Sequence, residues 1–243
     1  MTPYYSDNGI EIYHGDALEV VAALPKDSFG LVVADPPYSS GTRQATDRKA
    51  SSIPKRGERW RRSGIVWDSA FSAFGLSTYL NAWFREVRRI LVDGAHLYVF
   101  IDWRQYPLLV QSIEVSGLYQ NNLLVWDKGV YALGTNWRSQ HELIVFASNG
   151  PAIELAGHDI GNVLQAKRVS GGVHPTEKPI ALLTTILEYG SEGQILDPFM
   201  GSGTTLVAAQ RLGRKAIGIE IEERYCEIAV NRLAQRELFG VTQ

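Results

Sequence analysis

The feature that most constrains this chain is the stretch from Gln194 to Thr205. An apolar run ends at Asp197, passes through Pro198-Phe199-Met200-Gly201-Ser202-Gly203 and opens into Thr204-Thr205. It reads as a strand, a glycine-rich turn and the start of a helix. Gly201 and Gly203 let backbone amides approach a ligand closely, and the first turn of the helix offers unpaired N–H groups. A second strand, Arg214 to Ile219, runs into Glu220, and an acid at the end of such a strand commonly accepts ribose hydroxyls. Glu222 then opens the last helix as an N-terminal acid. Strand, helix and strand in this order imply a parallel pair and hence an α/β sheet. A phosphate-binding loop would need a Gly-Lys-Ser/Thr sequence here, and the absence of that lysine disfavours a nucleoside triphosphate.

A second apolar run, Leu31-Val32-Val33-Ala34, stops at Asp35-Pro36-Pro37-Tyr38. Four apolar residues closed by a Pro-Pro breaker read as a buried strand whose carboxyl end opens into a loop. The two prolines fix successive φ angles, so the carbonyls of Asp35 and Pro36 point in set directions as acceptors. With the Asp35 carboxylate and the flat face of Tyr38, the loop is a receptor for a planar molecule that carries an amino group.

Between these runs the pattern alternates. Ile10 to Tyr13 reads as a strand, His14-Gly15-Asp16 as a turn, and Ala17 to Leu24 as a helix. Apolar spacings of three and four mark a helix over Leu76 to Leu91, which Asp93-Gly94 ends before a strand over Ala95 to Ile101. His96 lies in this buried run and reads as structural. A helix from Tyr106 to Val115 and a strand from Leu118 to Trp126 follow, then a polar connection and a strand from His141 to Ala147. His174-Pro175-Thr176-Glu177-Lys178-Pro179 precedes a helix that begins at Pro179, with Thr176 as its cap.

Charge is distributed unevenly. The net charge is −2, yet Arg43, Arg48, Lys49, Lys55, Arg56, Arg59, Arg61 and Arg62 face only Asp47 and Glu58 in one segment, a local excess of +6 on a remainder of −8. A long stretch without periodicity, about 39–66, thus reads as a mobile basic loop that addresses an anionic surface. Trp60 and Trp67 are candidates for stacking or for burial. No run of about 18 apolar residues suggests a membrane span. The first residues carry no signal pattern, and the one cysteine, Cys226, fits a reducing cytoplasm. The five histidines are scattered and show no ligand spacing, so no metal is expected.

Asp35-Pro36-Pro37-Tyr38, the Gly15-Asp16 pair, the 174–179 string and the glycine turn together resemble the β class of S-adenosylmethionine-dependent DNA amino-methyltransferases, in which the catalytic tetrapeptide precedes the cofactor half. The resemblance spans nearly the whole chain outside the basic loop and a short target-recognition interval at about 148–173. It implies a single domain over residues 1–243 with a Rossmann-like methyltransferase fold, a mostly parallel twisted sheet with helices on both faces, in circularly permuted motif order. It implies catalysis by Asp35, Pro36, Pro37 and Tyr38. It implies cofactor contacts from Asp16, Ala17, Asp35, Thr176, Lys178, Asp197, Pro198, Phe199, Gly201, Ser202, Gly203, Thr204 and Glu220, with Thr176 and Lys178 donating to the methionine carboxylate. Trp126, Asp127, Lys128, His141 and Glu142 match the family's hairpin beside the target base, where His141 and Glu142 either tie the hairpin together or touch the base.

The implied reaction moves a methyl group from S-adenosylmethionine to an exocyclic amine, leaving S-adenosylhomocysteine. Asp at the head of the tetrapeptide is similar to adenine-specific members, so adenine N6 in double-stranded DNA is the expected target, with cytosine N4 as the alternative and RNA as a weaker one. From a different class, a non-catalytic S-adenosylmethionine-binding DNA regulator stays open. By analogy the chain is expected to form a homodimer, and a restriction endonuclease partner or an orphan role are both compatible with it.

Overall fold

The computed structural model describes residues 1–37, 73–132, 136–169 and 177–235. Tyr38, Thr176 and all eight residues of the expected basic phosphate grip, Arg43 to Arg62, lie outside them. Among the described residues the strands are β1 (Tyr5–Asp7), β2 (Ile10–His14), β3 (Phe29–Ala34), β4 (Leu91–Ile101), β5 (Tyr119–Asp127), β6 (His141–Ser148), β7 (Val163–Gln165), β8 (Ile195–Asp197) and β9 (Ala216–Glu220). The helices are α1 (Ala17–Ala23), α2 (Ala73–Ile90), α3 (Tyr106–Ser116), α4 (Ile180–Tyr189), α5 (Thr204–Arg211) and α6 (Glu223–Ala234).

All nine strands form one sheet in the order β1-β2-β9-β8-β3-β4-β6-β5-β7. The central five, β2 to β4 in that order, run parallel, while β6 is antiparallel to both β4 and β5. The α/β reading and the mostly parallel sheet therefore hold. The pleat divides the core into two layers. Val32 and Ala34 of β3, with Leu97, Val99 and Ile101 of β4, face Leu80, Trp83, Phe84 and Val87 of α2 and the apolar side of α3. Leu31 and Val33, with Tyr98 and Phe100, face Leu182, Leu183, Ile186 and Leu187 of α4 and the buried sides of α5 and α6. A strand covered on both faces must be apolar throughout, and every residue of β3 is buried.

Three local expectations change. Asp93-Gly94 does not end α2: the helix stops at Ile90, Leu91 already pairs with Phe29, and the pair lies inside β4. Between Phe29 and Leu31 the partner moves from Leu91 to His96, so four residues of β4 lie opposite Gly30 alone, an excess of three, with Gly94 at φ +75°. The capping position of α4 is Pro179, which has no side-chain bond to offer, so the helix begins at Ile180. Within the expected recognition interval, Val163–Gln165 adds a short parallel edge strand to β5.

His96 has the structural role its pattern suggests. The Ser191 amide donates to Nδ1 at 3.0 Å, and Nε2 lies 2.7 Å from the Ile153 carbonyl, which can only accept. Nε2 therefore carries the proton and the ring is neutral. The His96 amide donates to the Ser191 hydroxyl, which in turn donates to the Gly30 carbonyl.

Candidate active site

The carboxyl ends of the parallel strands gather the candidate residues. Asp35 follows β3, Asp197 ends β8, Glu220 ends β9 and Asp16 follows β2 after the Gly15 turn. An open sheet presents its ligand crevice at these ends, and the cleft found there is lined by Val33, Asp35, Phe100, Lys178, Asp197, Phe199 to Ser202, Thr204 and Thr205.

Asp35 is held by one cation. Lys178 Nζ lies 2.6 Å from Asp35 Oδ2 and 3.0 Å from Glu142 Oε1, and Lys128 Nζ lies 2.8 Å from Glu142 Oε2. Lys178 also sits 4.9 Å from the centre of the Phe100 ring. The Lys178 and Glu142 side chains are only 9% and 12% exposed, so these are ion pairs largely removed from water and weakly screened. Asp35 Oδ1 is buried and has no hydrogen-bond partner among the described residues. Burial pushes the Asp35 carboxyl up, against the pull of the Lys178 ammonium. Burial also acts to raise Glu142, but two flanking ammonium groups outweigh it and hold that carboxyl at about 2. Burial lowers Lys178, and Asp35 and Glu142 together more than restore it, so it stays charged.

The glycine turn forms the opposite wall. Gly201 and Gly203 adopt φ +52° and +79°, the left-handed region in which a side chain is strained. A Cβ on Gly203 would in addition meet the Ala229 Cβ at 2.7 Å, so the turn packs directly on α6. Among the described residues no side chain caps α5. Glu220 accepts the Gly201 amide at 3.0 Å and the Glu222 amide at 2.8 Å, which fixes its carboxylate beside the turn. Asp197 accepts the Phe199 amide at 3.1 Å; burial, together with the Asp35 and Glu220 charges, pushes its carboxyl up to about 7. Asp16 caps α1 through the Leu18 and Glu19 amides at 2.8 and 3.2 Å, with Ala17 buried behind it.

The structure thus brings Asp35, Lys178, Asp197, Phe199, Gly201, Ser202 and Thr204 to one crevice, with Glu220 bonded to the Gly201 amide beside it, while Asp16, Ala17, Pro36, Pro198 and Gly203 are not among the residues that line it. It places Lys178 on Asp35 and Glu142, where sequence reasoning put it on a cofactor carboxylate. Glu142 and Lys128 were legible only as parts of a hairpin pattern, because nothing local couples them to Asp35. Arg232 was missed altogether: from α6 it donates to the Ser202 carbonyl, the Ser202 hydroxyl and the Thr204 hydroxyl, and pairs with Glu177 at 2.9 Å.

These residues fit a nucleoside bearing a positive centre and an amino-acid tail. The left-handed glycines and the uncapped helix start offer N–H groups, Glu220 offers a fixed acid, and Asp35 and Asp197 line the cleft with carboxyl oxygens.

The family model described as DNA methylase, covering N6 and N4 methyltransferases, matches residues 29–166 and 153–231. The Type II methyltransferase M2.DpnII of Streptococcus pneumoniae is 29% identical over 95% of this chain and 92% of its own length. The Type II methyltransferase M2.LlaDCHI of Lactococcus lactis subsp. cremoris is 27% identical over 98% of this chain and 94% of its own. Among solved structures, the M1.HpyAVI–SAM complex superposes with a TM-score of 0.67 at 22% identity, covering 92% of this chain and 99% of that one. The cytosine-N4-specific PvuII DNA methyltransferase superposes with a TM-score of 0.72 at 18% identity, covering 95% and 88%.

Proposed function

Because the chain belongs to the N6/N4 DNA methylase family, we propose that it methylates the N6 amine of an adenine turned out of double-stranded DNA at a specific sequence, using S-adenosylmethionine. The observation that carries this reading is the buried Oδ1 of Asp35, a residue that lines the cleft, an acceptor with no donor among the described residues. An unmet buried acceptor is costly unless something else satisfies it, and an amine N–H does so.

S-adenosylmethionine, when bound, supplies a methyl group already activated by its sulfonium. Gly201 to Thr204, Asp197 and Glu220 are the residues that hold it, and Glu220 is the acid for its ribose. The target amine is a weak nucleophile because its lone pair is delocalised into the ring. Asp35 Oδ1 and the Pro36 carbonyl accept hydrogen bonds from its two N–H groups, draw the lone pair out of the ring plane and stabilise the positive charge that grows on nitrogen. Alignment supplies the rest. A base inside the duplex cannot reach this crevice, so it must leave the stack. Tyr38 is the expected face for it to stack on.

DNA contacts come from the basic 43–62 segment and from the connection between β5 and β6. There, Arg138 lies 3.6 Å over the Tyr131 ring and Trp137 is fully exposed, a cationic and aromatic surface suited to nucleic acid. A homodimer would add DNA-contacting area, and sedimentation with and without DNA tests it.

The favoured base rests on Asp at the head of the tetrapeptide; a cytosine-N4-specific enzyme shares the fold, so cytosine is the second reading. The test is to incubate the protein with S-adenosylmethionine and unmodified genomic DNA, digest to nucleosides and quantify methylated bases by mass spectrometry. N6-methyladenine is expected. N4-methylcytosine would overturn the target base, and no modified base would overturn the reaction.

A further inference from the structure

Four charged groups from four separate segments form a line that ends at Asp35. Lys128 at the end of β5 meets Glu142 at the start of β6 at 2.8 Å, Glu142 meets Lys178 ahead of α4 at 3.0 Å, and Lys178 meets Asp35 after β3 at 2.6 Å. Signs alternate along the line, and each inner member bridges its two neighbours in it. The terminal carboxylate has one oxygen engaged and one without a partner among the described residues.

We propose that Lys178 is a positioning residue for methyl transfer, pinning Asp35 through Oδ2 so that Oδ1 alone faces the target amine, while Glu142 sets how much of the ammonium charge Asp35 feels. This deepens the amine-methylation reading above and rests on it. A carboxylate held at one oxygen cannot rotate away from the acceptor geometry, which is where a small misplacement is expensive in rate. An ammonium devoted to Asp35 alone would cancel the negative charge needed opposite a nitrogen that becomes positive. Glu142 prevents this by drawing on the same ammonium from the other side, and Lys128 keeps Glu142 itself ionised and oriented. Phe100 closes a further side of the ammonium. The charged groups facing Asp35 among the described residues are Lys178 and, beyond it, Glu142 and Lys128, with Asp197 across the cleft.

The experiment is single-turnover methylation of unmodified genomic DNA with isotopically labelled S-adenosylmethionine from about pH 5 to 9, for wild type, K178M, K178R and E142Q, beside calorimetric affinities for S-adenosylmethionine. K178M should lower the saturated rate roughly 10²-fold. Its acid limb should rise by about 1–3 pH units, because Asp35 loses its cation. E142Q should move the acid limb the other way, since the ammonium then serves Asp35 alone. K178R should recover part of the rate. Opposite shifts from two neighbours are not what loss of packing produces.

A K178M protein with the wild-type saturated rate and acid limb, and only a weaker affinity for S-adenosylmethionine, would overturn the proposal and assign Lys178 to the cofactor. Should K178M fail to fold, E142Q decides: an acid limb that stays in place or rises overturns the proposal. A wild-type protein that binds S-adenosylmethionine but methylates neither base refutes the underlying reading instead.

Discussion

Arg232, on the last helix, donates to the Ser202 carbonyl at 2.9 Å and to the Ser202 hydroxyl at 2.7 Å, so the glycine turn is fastened from behind by a residue that lies outside the cleft. The other arm of the same guanidinium pairs with Glu177 at 2.9 Å. One planar cation thus joins the two segments that flank the cleft, a geometry a lysine cannot reproduce in full.

Arg232→Met should therefore loosen the turn and leave Glu177 unpaired. We expect a loss of about 2–3 kcal/mol of stability and a weaker affinity for S-adenosylmethionine, with Arg232→Lys intermediate. Chemical denaturation and calorimetry measure the two effects separately. Unchanged affinity would show that the turn holds its shape without this clamp.

Asp35→Ala removes the proposed acceptor without touching the glycine turn. Turnover should fall by at least about 10²-fold, with affinity for S-adenosylmethionine largely retained. Undiminished turnover would rule Asp35 out as the amine acceptor.

Gly30 is fixed by a close approach of backbone to backbone. A Cβ at this position would lie 1.7 Å from the Glu192 carbonyl oxygen, and the adjoining Ser191 hydroxyl bonds to the Gly30 carbonyl. Gly30→Ala must push the segment before β8 away from β3, and it should cost about 3 kcal/mol or more. Thermal denaturation should register this as a melting point lower by about 2–4 °C for each kcal/mol. A melting point within error of the wild type would contradict the packing described.

His96 makes stability depend on acid. Burial lowers its pKa from the ordinary 6.5, with the Ile153 carbonyl pulling the other way, so the native ring stays neutral where the unfolded ring takes up a proton. The unfolded chain then binds more protons, and stability must fall as pH drops below about 6.5. Urea denaturation between about pH 7.5 and 5 should show this slope, and His96→Asn should flatten it.

Asp197 acts in the opposite sense. Its carboxyl is raised from 3.8 to about 7 by burial and by neighbouring acids, so the native state holds a proton that the unfolded chain has already released. Its contribution falls as pH rises from about 4 to 7. Asp197→Asn should gain on the wild type in denaturation midpoints as pH increases through this window. A constant difference across it would mean that the carboxyl ionises normally.

Much of this architecture is local and was legible. Leu31 to Ala34 and Leu97 to Ile101 are apolar without a break because both faces of a central parallel strand are covered, and the turn at Gly201 and Gly203 declares itself because few other residues accept positive φ. The end of α2 was misplaced because Asp93-Gly94 looks like a helix stop. The pairing of Leu91 with Phe29, distant in sequence, ends the helix sooner, and the Asp-Gly pair becomes a bulge.

The α/β alternation, the two loops that border the cleft and the acid at the end of β9 are readable along the chain, because each rests on neighbouring residues and on backbone rules. Which charge meets which is settled by the folded arrangement. Asp35 and Lys178 are 143 positions apart, and Ser202 and Arg232 are 30 apart on different elements. No periodicity encodes such meetings. They arise when strand order brings the ends of β3, β5, β6 and β8 to one edge, where burial strengthens each pairing and leaves one oxygen of Asp35 without a partner among the described residues.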